Sequence, residues 1–179
     1  VRFRLPAEME QVTYFGRGPE ENYCDRNNGT LVGEYQATAE QMYFPYVRPQ
    51  ENGHHTDTRW LMLKKKNGKG LAVYADGTLE FNSLRNSIED FDGEEAVQRD
   101  YQWNNRDAEE LKHDVSTAKN IKPRQTHIND ITPRDFVEVC LDMRQMGVGG
   151  FDSWGAVPDP QYLIPANKEY QWGFTIVPM

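Results

Sequence analysis

The run TRWLMLKKKNGKGLAVYADGTLEFNSL, Thr58–Leu84, decides the fold class. It holds three short apolar stretches, 58–64, 70–75 and 78–83, joined by Asn67-Gly68 and Asp76-Gly77. Such dipeptides accept the positive φ that two-residue hairpin turns demand, so the run predicts a β-meander. The same grammar recurs later. Val137, Val139, Leu141 and Met143 alternate with Glu138, Cys140 and Asp142, and Tyr170, Trp172, Phe174 and Ile176 alternate with Glu169, Gln171, Gly173 and Thr175. Period two marks strands with one buried and one wet face in an antiparallel sheet. Further strands are expected at 9–15, 30–36 and 125–129. One helix is expected near 107–117, where Asp107 can cap, Glu110 stands three residues on, and Ala108, Leu111 and Val115 share a face. Residues 86–106, with Glu89, Asp90, Asp92, Glu94 and Glu95, read as a polar insertion that leaves the sheet. Short strands at close spacing predict an all-β sandwich, with residues 1–179 as a single domain or half of a larger β-architecture.

Composition narrows the function. Hydrophobic residues make up 37% of the 179 and mean hydropathy is −0.83, which would suit disorder, but an aromatic content of 12% argues for a packed core. The net charge of −8 disfavours nucleic acid and anionic membrane, both of which are bound by basic patches. No apolar run approaches the roughly 20 residues that span a bilayer. The chain opens on Val1-Arg2-Phe3-Arg4, not on Met, so an upstream segment is expected. Cys24 and Cys140 cannot build a metal cluster alone and read as two thiols, with a disulfide not required at this size.

Few residues are marked for chemistry by their pattern alone. A glycosidase needs two carboxylates about 5–10 Å apart across a sugar, and 28 Asp and Glu offer no pattern that singles out a pair. His54 and His55 are adjacent, so on a strand they point to opposite faces and do not share a metal. Ser153 lacks the flanks of a nucleophile elbow. Two loops break the strand pattern: Tyr46–Gly53 and Met146–Trp154. In the second, Gly147, Gly149 and Gly150 allow tight bends, and a large aromatic follows. Trp154 is either a stacking platform for the apolar C–H face of a pyranose or a plug for the sandwich end. The donors and acceptors of 48–59, among them Arg48, Gln50, Glu51, Asn52, Asp57 and Arg59, can bind sugar hydroxyls or pin a long loop.

Three motifs then carry a resemblance. Tyr14-Phe15-Gly16-Arg17-Gly18-Pro19-Glu20-Glu21-Asn22-Tyr23-Cys24-Asp25-Arg26, Pro45-Tyr46-Val47-Arg48-Pro49-Gln50-Glu51-Asn52-Gly53 and Met146-Gly147-Val148-Gly149-Gly150-Phe151-Asp152-Ser153-Trp154 resemble, in order, signatures of the C-terminal, small-chain domain (domain 5) of the large bacterial β-galactosidases of glycoside hydrolase family 2. The resemblance runs from about Leu5 to Phe174. It implies an antiparallel β-super-sandwich similar to galactose mutarotases, present here in part, since the motifs begin midway through the family's domain. Dimerising, swapping or closing on itself could cover the remainder.

It implies a parent enzyme that hydrolyses β-galactosides such as lactose with retention. The two glutamates and a magnesium ion of that enzyme sit in an upstream (β/α)8 barrel. By the same resemblance this chain is inactive alone, holds no catalytic residue and no cofactor of its own, and contributes Trp154, with Asp152 and Ser153, to binding galactoside, galactose or glucose. Arg48, Glu51, Asn52 and Arg59 are weaker binding candidates. Sodium is implied beside Arg48-Pro49, held largely by backbone oxygens. The expected partners are the barrel domain and a second copy of the chain, in a bacterial cytoplasm or periplasm. Two other readings stand beside this one: a stand-alone carbohydrate-binding module, and a mutarotase-like enzyme using a His and a Glu.

Overall fold

The computed structural model describes residues 1–47, 49–91, 128–152 and 155–179. The expected helix at 107–117, and all of the 86–106 insertion beyond Phe91, lie outside them. The chain divides into two compact units, one of Val1–Phe44, Asn52–Asn86 and Pro133–Met179, the other of Pro45–Glu51 and Ser87–Thr132.

The first unit is all-β and antiparallel, as expected. Its seven strands are β1 (Arg2–Pro6), β2 (Gln11–Gly18), β3 (Leu31–Thr38), β4 (His55–Lys64), β5 (Gly70–Leu84), β6 (Phe136–Asp142) and β7 (Phe174–Pro178). They hydrogen-bond in the order β1-β6-β5-β4-β2-β3, with β7 beside β5. The inner side is dry: Val12, Tyr14, Leu61, Leu63, Val73, Leu79, Phe81, Val137, Val139 and Leu141 are all at most 1% exposed. Each such side chain removed from water contributes roughly 2 kcal/mol before entropy is counted.

The 58–84 run folds differently from a three-stranded meander. Asn67-Gly68 does turn the chain, with Gly68 at φ +87 and its amide on the Lys65 carbonyl at 2.9 Å. Asp76-Gly77 does not. β5 runs through it as one 15-residue strand, because both halves stay beside β4: Tyr74 opposite Trp60, then Leu79 opposite Thr58. The positive φ of Gly77 (+96) serves a bulge instead of a reversal. A second irregularity on β4, between His55 and Thr58, holds Asp57 at φ 54, a conformation Asp tolerates better than most residues.

β6 departs from the half-buried expectation. Five consecutive residues, Val137–Leu141, are buried. The outward Glu138, 3% exposed, is covered by β1, whose Arg2 and Arg4 both donate to its Oε2, at 2.9 and 2.8 Å. β1 itself was not expected, although Phe3 and Leu5 alternate with its arginines and pair with Val139 and Val137.

β7 is shorter and more exposed than its alternation suggests. Among the described residues it pairs with β5 alone, and its ladder starts only at Gly173, whose carbonyl accepts the Asp76 amide at 2.9 Å. Residues 170–173 are not strand, and Tyr170 and Ile176 are over 40% exposed. The end of the expected 125–129 strand is a 3-10 turn, Ile128–Asp130, with 125–127 outside the described residues. In the second unit α1 (Ile88–Phe91) is a single turn, closed by Ser87 and Asp90: the Ser87 amide donates to the Asp90 carboxylate at 2.9 Å.

Candidate functional site

Motif one, the Asn52-Gly53 end of motif two and the glycine loop of motif three lie in the first unit, while Pro45–Glu51 of motif two belongs to the second. Motif one leaves β2 at Gly18 and makes a tight turn closed by the Tyr23–Arg26 bridge. Asn22, fully buried, ties that turn to β4. Its Nδ2 donates to the Arg17 and Glu20 carbonyls, both at 3.1 Å, while its Oδ1 accepts the Thr56 amide at 3.0 Å and the Thr56 hydroxyl at 2.5 Å. Glu21 accepts the Gly53 amide at 2.7 Å and the Arg26 guanidinium at 2.6 Å, which binds motif one to motif two. Gly53 must be glycine: φ is +71, and a Cβ would stand 2.9 Å from the Met42 carbonyl oxygen.

The histidines are committed to this junction. As adjacent strand residues they diverge. His54, stacked on Tyr23 at 5.3 Å, sends Nε2 to Glu80 Oε2 at 2.9 Å. Because a carboxylate accepts, Nε2 carries the proton. Nδ1 has no hydrogen-bond partner among the described residues. His55 lies between Tyr14 and Phe81, with its ring nitrogens 3.0 and 3.3 Å from the Gly53 and Pro19 carbonyls. Burial lowers its pKa from 6.5 to about 4, against the pull of those carbonyls, so it is neutral near pH 7.

The glycine loop of motif three is held from three sides. Glu80 Oε2 also accepts the Gln145 amide at 2.6 Å, the Gly147 amide reaches the Tyr162 carbonyl at 2.9 Å, and the Gly149 amide reaches Asp25 Oδ2 at 2.7 Å. Cys24 Sγ approaches the Gln145 carbonyl at 3.4 Å, and burial pushes its thiol pKa up. Asp142, next to this junction on β6, also has its carboxyl raised by burial. The glycines do not serve bending: none of Gly147, Gly149 and Gly150 has positive φ. They serve close approach. A Cβ on Gly147 would lie 2.5 Å from Asp25 Oδ2, and one on Gly150 would lie 2.7 Å from the Ala156 carbonyl oxygen. Around this pinned backbone the apolar side chains face out, with Phe151 91% and Val157 65% exposed.

Of the sequence candidates, Trp154, Ser153 and Arg48 lie outside the described residues. Asp152 is exposed and accepts the Ala156 amide at 3.3 Å. Asn52, 2% exposed, has both ends of its amide on the Phe44 backbone, at 2.8 and 2.5 Å. Arg59 donates to the Asp57 carbonyl and sits 5.8 Å over the Phe15 ring. Glu51 is half-buried in the second unit. The residues that organise the junction, Asn22, Asp25 and Glu80, were not candidates. The first two stand inside a motif quoted for its pattern alone, and Glu80 carries no local signal. Among the described residues no group of three or more His, Cys, Asp and Glu is disposed to hold a metal ion.

Comparison with known proteins names the family. Residues 1–176 match the family model described as "Beta galactosidase small chain". The chain belongs to that family. It is 31% identical to the beta-galactosidase of Priestia megaterium over 99% of its length, 31% identical to that of Streptococcus thermophilus over 100%, and 30% identical to that of Vibrio cholerae over 96%. It spans only about 14% of the length of these relatives.

Proposed function

We propose that the protein carrying this small-chain domain hydrolyses terminal β-galactosides such as lactose, with retention, and that the domain contributes carbohydrate binding while the acid–base chemistry lies elsewhere. The observation that carries this reading is the pinned loop 145–152, held by Glu80, Tyr162 and Asp25, in a chain that matches β-galactosidase small chains over 1–176. A loop fixed at its backbone presents its side chains at low entropic cost, which is what a stacking platform requires. Trp154 is the platform, with Asp152 and Ser153 beside it in sequence. Asn52 is spent on the Phe44 backbone and acts as a pin.

The partner of the domain is the barrel of the same polypeptide, and magnesium belongs to that barrel. The sodium site beside Arg48-Pro49 and the likeness to galactose mutarotases are parts of the same proposal. In the whole protein Trp154→Ala should raise KM for lactose and depress galactosyl transfer to glucose by roughly five- to twelvefold, as loss of one stacking contact worth about 1–1.5 kcal/mol predicts. The purified 179-residue chain should show no turnover of a chromogenic β-galactoside. Unchanged kinetics in the variant, or turnover by the chain alone, would overturn the assignment.

A further inference from the structure

We infer that Asp25 is a positioning residue for the sugar-facing loop, an inference that rests on the reading of that loop given above. The Asp25 carboxylate reaches across 124 residues of sequence to accept the Gly149 amide at 2.7 Å. It also fills the space that side chains would need. A Cβ on Gly147 would fall 2.5 Å from Oδ2 and 2.7 Å from Cγ, and a Cβ on Gly149 would fall 3.0 Å from Oδ2. Two of the three loop glycines are therefore glycine because a carboxylate lies against them, and not because the backbone needs φ > 0.

Its other oxygen, Oδ1, is shut off from solvent and has no hydrogen-bond partner among the described residues. An acceptor that is desolvated at one oxygen and bonded at the other is tolerated only where the bonded contact is strong, as an amide donating to a carboxylate is. Asp25 thus registers the backbone of 147–149, and with it the loop that runs on to Asp152. It touches no substrate in this scheme and acts only through the loop.

The test joins two readouts. Hydrogen exchange on the full chain reads the clamp directly. Asp25→Ala should speed exchange of the Gly149 amide about tenfold or more, the loss expected for a bond to a charged acceptor. Asp25→Asn keeps an acceptor oxygen and should restore most of the protection. Gly147→Ala forces the carboxylate away from the other side and should give the same acceleration, which serves if Asp25→Ala fails to fold. The double variant should come close to Asp25→Ala alone, because the added methyl then meets no carboxylate and only the Tyr162 Cβ, at 3.0 Å, is left beside it.

In the whole protein Asp25→Ala should raise KM for lactose by a larger factor than it lowers kcat, and Asp25→Asn should recover it. Unchanged exchange at 147–149, or additive effects of Gly147→Ala and Asp25→Ala, overturns the clamp. Faster exchange with KM unmoved, in a protein where Trp154→Ala does raise KM, overturns the positioning role. If Trp154→Ala itself leaves KM unmoved, the sugar-facing reading of the loop falls, and the exchange data still decide the clamp.

Discussion

Acid should weaken this chain through His55 in particular. The ring is 1% exposed, between Tyr14 and Phe81, and burial takes its pKa from 6.5 to about 4. The folded state therefore binds the proton less readily than the unfolded chain, and lowering the pH draws the equilibrium toward unfolding. At 1.36 kcal/mol per pKa unit the group accounts for about 3 kcal/mol. That stability is present in full above pH 6.5, is lost as the pH falls toward 4, and changes little further below. Asp142 works with the opposite sign, because its raised pKa lets the folded state take up a proton more easily. The informative quantity is thus the difference between wild type and His55→Gln. Urea denaturation of both at pH 7.5, 6.5, 5.5 and 4.5, followed by far-UV circular dichroism, measures it. The wild type should lose about 2.5 kcal/mol more than the variant across that range, which stops short of the folded pKa. Parallel loss in the two proteins would refute the argument, as would an imidazole proton signal of His55 titrating near its ordinary value.

Other substitutions separate competing physical causes. Asn22→Ala removes four side-chain hydrogen bonds and strands the buried Thr56 amide and hydroxyl; it should cost roughly 3 kcal/mol by thermal denaturation. Gly53→Ala and Gly68→Ala both place alanine at positive φ, +71 and +87, but only the first meets backbone, so their costs should be about 3 and about 1 kcal/mol; equal costs would discredit the contact argument. Glu80→Ala leaves the Gln145 amide and His54 Nε2 without their shared acceptor and should destabilise by roughly 2–4 kcal/mol, with faster amide exchange at Gln145.

Sequence alone determined the class of this fold and the place of its loops. Period two and the Asn67-Gly68 turn are local properties, and local properties are written in adjacent residues. The same holds for the three motifs, whose order names the family without any contact being known. What sequence misjudged are features set by neighbours far along the chain. Asp76-Gly77 has the chemistry of a hairpin, yet β4 extends past it on the other side and holds β5 straight. Val137–Leu141 reads as half-buried, yet Arg2 and Arg4 arrive from the start of the chain to cover Glu138. The alternation at 170–176 promises a face that, among the described residues, no second neighbour of β7 covers.

The candidate site divides along the same line. The glycine loop was visible as a break in the strand pattern, and bending was the natural reason for its glycines. Only the tertiary structure showed that a carboxylate 124 residues away occupies the space their side chains would take. A glycine's permissive φ is a property of one residue. A close approach is a property of two, and folding alone brings Asp25 to Gly147 and Gly149.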